Sequence, residues 1–344
     1  MQTREVLEAI PATGLATPDV WRGPEIAENS AWRHAFTPAE IEELLAAYRR
    51  AAAKDLFSWT RDDFPLPTLA PKVAAWMSEL DSGCGFILLR GFPADRHPQS
   101  VCTGVYWGLG LHMGRAVSQN TDGDLIGHVR DTGADPDAYG VRLYKTRAEQ
   151  DFHTDGADII GLFCLRTARS GGVSRIVSSA TIFNRMVRER PGLVPTLFEP
   201  FPFDTQGQHR PGGNPWFEQP LCRMEDGRLR FFFIPWYIRE SQQHPAAPRL
   251  TQGQIEAVAF IEAAANDPAD YLEMDFQPGD MQFLKNSSVL HKRTAYEDWD
   301  APELKRHLLR LWLNVAAGRP VDPAAYPYRC GVPIGQARSA AHNV

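Results

Sequence analysis

The sequence predicts a mostly β protein with helices (α+β), one domain built on a double-sheet jelly roll or barrel. Three observations predict it. Helical periodicity is concentrated before residue 80, whereas short apolar runs dominate from 85 to 315. The 344 residues include 27 Gly and 27 Pro, which supply turns to many short strands. The order is helices first, then strands with two inserted helices and no composition break, which disfavours a βαβ sheet.

Residues 1–35 read as an irregular arm. Thr37-Pro38-Ala39-Glu40 is a capping box with Pro at the first helical position, and Ile41, Leu44, Leu45 and Tyr48 continue an amphipathic helix towards Lys54. A second helix is expected over 69–80, a buried strand between glycines over 85–92, and a third helix over 98–111. Short strands are expected at 125–129 and 141–144 within a loop-rich stretch. Strands follow at 152–158, 159–165 and 173–178, the last after a Ser170-Gly171-Gly172 turn, and Ser179 is positioned to cap a helix over 180–190. Residues 200–220 show no period and read as a long loop, and 230–238 as a strand. The helix expected over 251–266 carries Ile255, Val258, Ala259 and Glu262 at helical spacing. A strand at 271–276, the turn Pro278-Gly279-Asp280, a strand at 281–284 and a last apolar strand at 308–315 close the core.

A net charge of −6 with no basic stripe excludes the usual nucleic-acid binder, and Arg185, Arg188 and Arg190 read as a solvated helix face. No apolar run approaches a membrane span, and the first residues lack a signal-peptide pattern. The five cysteines (Cys84, Cys102, Cys164, Cys222 and Cys330) match no zinc or CxxC spacing. The expectation is free thiols in a cytoplasmic protein.

One His-x-Asp occurs, His153-Thr154-Asp155. Chance alone predicts about 0.7 such matches, so context must carry it. On a strand, positions i and i+2 share a face about 6.6 Å apart, and an imidazole and a carboxylate there converge on one ion. A 2-His-1-carboxylate set with open positions is the signature of non-heme Fe(II) oxygenases. His291, just after the strand–turn–strand at 274–283, is the best candidate for the second histidine. Further on, Arg306, Leu308 and Arg310 share one face if their segment is a strand, and a guanidinium fork on an apolar strand suits a dicarboxylate.

Three ordered segments, HTDGADIIGLFCLRTARSGGVS, PGDMQFLKNSSVLHKRTAYEDW and KRHLLRLWL, resemble the taurine dioxygenase (TauD/TfdA) family of Fe(II)/2-oxoglutarate-dependent dioxygenases, and GFILLRGF resembles an early core strand of that family. The resemblance covers about 75–320. It implies a double-stranded β-helix (jelly roll) core flanked by helices: an arm and helices over 1–80, a core over about 85–315 with a lid over about 200–250, and a tail at 316–344. It implies Fe(II) on His153, Asp155 and His291, with 2-oxoglutarate and O₂ as cosubstrates. Arg306 matches the arginine that grips the cosubstrate carboxylate, Ser174 the hydroxyl that assists it, and Arg310 a second arginine that meets an anionic substrate or the cosubstrate. The spacings from His291 to Arg306 and from Asp155 to Ser174 depart from the usual ones, so Arg306 and Arg310 can exchange roles. Asp155 leaves no slot for a halide, which argues against a halogenase. The implied reaction couples decarboxylation of 2-oxoglutarate to succinate and CO₂ with C–H oxidation, chiefly hydroxylation, of a small, anionic molecule. Desaturation, cyclisation or epimerisation are alternative outcomes, and a catalytically silent ligand-binding jelly roll is the alternative of a different class. Gln119, Asn120 and Tyr144 are candidate pocket polar groups, and no partner beyond a small molecule is expected.

Overall fold

The computed structural model describes residues 10–209, 212–225, 227–315 and 331–332. The start of the arm, most of the tail and Cys330 lie outside the described residues. Among these residues the helices are α1 (Gly23–Glu28), α2 (Pro38–Ala51), α3 (Ala70–Ser82), α4 (Gln99–Met113), α5 (Ser179–Glu189), α6 (Pro235–Ser241) and α7 (Gln252–Ala265). The strands are β1 (Arg33–Ala35), β2 (Phe86–Arg90), β3 (Arg115–Ala116), β4 (Ile126–Val129), β5 (Gln150–His153), β6 (Ile159–Arg166), β7 (Ser170–Gly171), β8 (Ser174–Ser178), β9 (Pro200–Asp204), β10 (Trp216–Pro220), β11 (Cys222–Glu225), β12 (Arg228–Phe231), β13 (Leu272–Met274), β14 (Met281–Lys285), β15 (Val289–Arg293), β16 (Tyr296–Glu297) and β17 (His307–Asn314).

Two sheets face one another. The larger has seven strands, ordered β1-β2-β14-β6-β17-β3 with β4 also on β17; the smaller is β13-β8-β15-β5. Their inner faces meet in one apolar cluster, with Phe86, Leu88, Cys164, Leu284 and Leu308 from the larger sheet and Ile176, Leu272, Met274 and Val289 from the smaller. Period-2 alternation explains how β17 serves two layers. Leu309, Leu311 and Leu313 pack outward against α2–α4, while Leu308 faces the other sheet. The outer face of the smaller sheet, through Phe152, Val177 and Leu290, is covered by α5–α7 and the β9–β12 hairpins.

Local chemistry sets the elements. Thr37 and Glu40 form the reciprocal capping box of α2, and Thr251 with Gln254 does the same for α7. Gly279 adopts φ 97°, and an added Cβ there would stand 1.8 Å from the Phe92 carbonyl oxygen, so the corner into β14 needs glycine.

Several expectations need correction. The arm is ordered from residue 10 onward, with α1, β1 and buried Trp21 and Trp32, because both indoles flank the Phe86 ring. The expected loop at 200–220 holds β9 paired to β10. Prolines hid it, and they are tolerated because both strands are edges of a two-stranded ribbon. The strand expected over 230–238 stops at Phe231, and Pro235 opens α6 instead. Residues 141–144 form no strand; Leu143–Lys145 is a 3₁₀ turn. Ser178, not Ser179, caps α5. The buried face of α7 is Gln254, Ala257, Val258, Ile261, Ala264 and Ala265, which leaves Ile255 48% exposed.

Candidate metal and cosubstrate site

His153 ends β5 and is the ladder partner of His291 on β15, with ring centroids 4.2 Å apart. Asp155 lies beyond the strand end, so strand periodicity does not bring it in. Asn286 does: its Oδ1 accepts from the Asp155 amide at 2.7 Å, and its Nδ2 donates to the carbonyl oxygens of Asp155 at 2.6 Å and Ala157 at 2.9 Å. Thr154 is tied to Phe233 in both directions through its amide and hydroxyl. The carboxylate then stands 3.9 Å from His153 Nε2 and 3.6 Å from His291 Nε2. One donor atom from each residue lies within 4.8 Å of the others, and all three are buried.

The protonation pattern suits a cation. A carbonyl only accepts, so His153 Nδ1, 2.7 Å from the Asp151 oxygen, carries the proton and leaves Nε2 as the ligand atom. The Gln150 amide donates to that Nε2 at 3.0 Å, using the lone pair that a bound cation would take instead. Burial first, then His291, pushes His153 down to about 3, so it is neutral at neutral pH. Burial alone would raise the Asp155 carboxyl, but Arg310, His291 and His153 hold it below the ordinary carboxylate range. Trp312 Nε1 donates to Asp155 Oδ2 at 3.1 Å, and Arg310 Nη1 lies 3.4 Å from the same oxygen.

A cavity opens beside the triad between the sheets, lined by His153 and His291 together with Tyr144, Ser174, Arg293, Arg306 and Arg310. The structure therefore brings Ser174, Arg306 and Arg310 together. The three guanidinium groups are buried, and Arg293 Nε and Nη1, Arg306 Nη1, Arg310 Nη2 and the Tyr296 hydroxyl have no hydrogen-bond partner. Buried donors are normally paired, so this cluster is built for an anion. Arg293 and Arg306 lie 5.0 and 5.1 Å from the Tyr296 ring centre. Gly172, at φ 68°, passes so close that an added Cβ would stand 2.9 Å from Arg306 Nε. The Ser170-Gly171-Gly172 corner is thus the backing of the arginine, and β7 pairs with β16 to hold Tyr296 there.

Among the other expected residues, Gln119 bridges Arg310, accepting from its Nε at 2.7 Å and donating to its carbonyl at 2.8 Å. Tyr144 lies under the same guanidinium, 4.6 Å from its ring centre. Asn120 is engaged in a turn with Asp122 and Asp124 and does not line the cavities that reach the triad. His307 bonds His128 at 2.8 Å, away from the triad. Sequence reasoning missed Arg293, Trp312, Gln150 and Asn286. Two had a signal: Arg293 is two residues after His291, and Trp312 is two after Arg310.

A second cavity reaches His153 and Asp155, shares Gln150 and His153 with the first, and is walled by Arg142, Gln206, Ile234, Trp236, Tyr237 and Trp312. The Trp236 ring stands edge-on to His153 at 5.0 Å.

Comparisons with known proteins agree with this geometry. Residues 46–312 match the model of the "Taurine catabolism dioxygenase TauD, TfdA family". The chain is 30% identical over 330 residues to FR-33289 synthase of Streptomyces rubellomurinus, covering 94% of this chain and 96% of that protein. Among solved structures, asparagine oxygenase in complex with Fe(II), 3-hydroxyasparagine and succinate superposes with a TM-score of 0.64 at 17% identity, over 89% of this chain and 100% of that one. The oxygenase OrfP in complex with Fe and alpha-ketoglutaric acid gives 0.63 at 14%, over 87% and 99%. At such identities the likeness establishes the fold.

Proposed function

The chain belongs to the TauD/TfdA family and is a non-heme Fe(II)/2-oxoglutarate-dependent dioxygenase, and on that premise we propose which residues hold each reactant. It couples conversion of 2-oxoglutarate to succinate and CO₂ with C–H oxidation of a small-molecule substrate. The observation that carries the residue assignment is the buried His–Asp–His set opening onto a cavity of partnerless guanidinium donors.

His153, Asp155 and His291 hold the iron. Fe(II) with 2-oxoglutarate and O₂ supplies the oxidising power. Arg306 and Ser174 grip the distal carboxylate of 2-oxoglutarate, and Arg293, across the Tyr296 ring, adds a second guanidinium there. Arg310 serves the metal end of the same cavity: it neutralises Asp155 and is braced by Gln119, Tyr144 and Trp312. The approach of Arg310 Nη1 to Asp155, 3.4 Å, supports that division of the two arginines. Trp236 and Ile234, which line the second cavity with His153, exclude water from the substrate. The substrate is a small anion, and hydroxylation is the outcome favoured.

The two facing sheets are read as one jelly-roll domain over the whole chain, with residues 200–250 as its lid. No described helix is long and apolar enough to cross a membrane, and the buried free thiols of Cys84, Cys102, Cys164 and Cys222 fit a reducing cytoplasm. The test is spectroscopic. Anaerobic addition of Fe(II) and 2-oxoglutarate to the folded protein is expected to give a weak visible charge-transfer band; absence of the band would sink the assignment.

A further inference from the structure

Two histidines take no part in the site described above, and one of them directly follows Arg306. His307 opens β17, which is paired by β6 on one side and by β4 on the other. The register with β6 shifts at that point: His307 pairs with Arg166 and Leu308 with Cys164, so Leu165 is an extra residue. A bulge of this kind re-aims a side chain. Here Arg166 Nη2 stands 3.3 Å from His307 Nδ1. On the other flank, His307 Nε2 lies 2.8 Å from His128 Nδ1.

A guanidinium only donates, so His307 Nδ1 is the acceptor and the proton of the ring sits on Nε2, which donates to His128 Nδ1. Burial first, then His128, Arg166 and Arg130, pushes His307 down to about 3, so the ring stays a neutral acceptor at neutral pH. Arg166 has a second hold: its Nε donates to the Lys305 carbonyl oxygen at 3.0 Å. One side chain therefore grips the residues on both sides of Arg306. The Arg306 amide itself donates to Asp298 Oδ1 at 2.7 Å. Arg306 lies one residue outside the strand, and it is buried with Nη1 lacking a hydrogen-bond partner. Arg166 lines neither cavity that reaches the triad, so it acts on a ligand only through Arg306.

We propose that Arg166, through the His307 ring and the Lys305 carbonyl, is a positioning residue that aims Arg306 at the distal carboxylate of 2-oxoglutarate. His128 fixes the tautomer of His307 that Arg166 requires. A group that grips a charge must be held within about 0.5 Å of its place by its own supporting partners, and losing such a partner costs roughly 10–100-fold. The inference rests on the reading of Arg306 as the arginine that holds that carboxylate, and its test separates the two.

The test compares two ligands on the Fe(II)-loaded protein, titrated anaerobically by the visible band. One is 2-oxoglutarate; the other is 2-oxopentanoate, which has the same 2-oxo acid end but no distal carboxylate. The wild-type protein is expected to prefer 2-oxoglutarate by at least about thirtyfold in dissociation constant, and Arg306→Gln should erase that preference. Arg166→Gln should weaken 2-oxoglutarate binding by roughly tenfold or more and leave 2-oxopentanoate within about twofold, whereas a merely loosened fold would weaken both. Arg166→Lys keeps the charge, but one ammonium does not span both acceptors, so it should lose at least about threefold of the preference. That variant decides the question if Arg166→Gln does not fold. His307→Leu removes the acceptor and should act in the same direction as Arg166→Gln. A preference that survives the Arg166 variants overturns the proposal, as does equal weakening of the two ligands. A preference absent from the wild-type protein, or unchanged in Arg306→Gln, overturns the reading of Arg306 and this proposal with it.

Discussion

The two walls that meet at His153 and Asp155 are built differently. The arginine wall stands on strands: Ser174 on β8, His291 and Arg293 on β15, and Arg310 on β17, with Arg306 one residue before it. β15 is paired on both sides, by β8 and β5, and β17 is paired by β6 on one side and by β3 and β4 on the other. The Arg142–Gln206 wall stands on loops and the short α6, and is tied by side chains gathered on Asp204. A ladder fixes direction through backbone hydrogen bonds, so the arginine wall places its charges before any ligand arrives. A loop wall is set by side-chain contacts and tolerates change, which suits the part of an enzyme that distinguishes substrates.

The largest expected effect breaks the chemistry common to both walls. His153→Ala should abolish succinate formation with the circular dichroism spectrum intact. The loss should exceed the roughly 10–100-fold that removing an outer-shell partner of a metal ligand costs. Retained turnover would remove His153 from the metal site.

A smaller effect distinguishes the walls from each other. Truncating one partner of a buried charge pair costs about 2–5 kcal/mol, so Arg306→Gln should raise the KM for 2-oxoglutarate by roughly 30- to 4,000-fold. Arg293→Gln should act in the same direction but less, because part of its guanidinium is held by the carbonyl oxygens of Ala148 and Leu143. Burial first, then the Arg306 charge, lowers Arg293 to about 10, and removing Arg306 relieves that repulsion. The double variant should therefore cost less than the sum of the singles. Initial-rate kinetics with varied 2-oxoglutarate decide it. A KM for 2-oxoglutarate that stays within twofold in Arg293→Gln would return Arg293 to a structural role.

The same contrast explains what was legible beforehand. His153, His291, Arg310 and Ser174 stand on short apolar strands that repeat every two residues, and Arg306 lies one residue before β17, whereas Asp155 lies beyond β5 and is placed by Asn286. Arg293 and Trp312 obey that same period and were readable. Gln150, Asn286, Arg142 and Gln206 were not. Asn286 acts on residue 155 across 131 positions of sequence, and Gln206 depends on Asp204, Glu240 and a left-handed backbone that no local pattern announces. The fold shows the same split. The capped helices and core strands were expected nearly where they stand, while the 200–240 region was misread because its prolines sit on ribbon edges and at the start of α6.

The smallest effect tests the border between the walls. Gln119 and Asn120 are adjacent, yet Gln119 braces Arg310 whereas Asn120 closes a turn. Its Oδ1 accepts from the amides of Asp122 and Asp124, both at 3.1 Å, and its Nδ2 donates to the Asp124 carboxylate at 2.7 Å. Asn120→Ala should therefore cost stability, about 1 kcal/mol for hydrogen bonds at a partly exposed turn, and leave the kinetics for 2-oxoglutarate and the primary substrate within about twofold. Thermal melting and initial rates on the same preparation measure both. A rise of fivefold or more in the primary substrate's KM at unchanged melting temperature would place Asn120 in the substrate cavity and shift the border between the two walls by one residue.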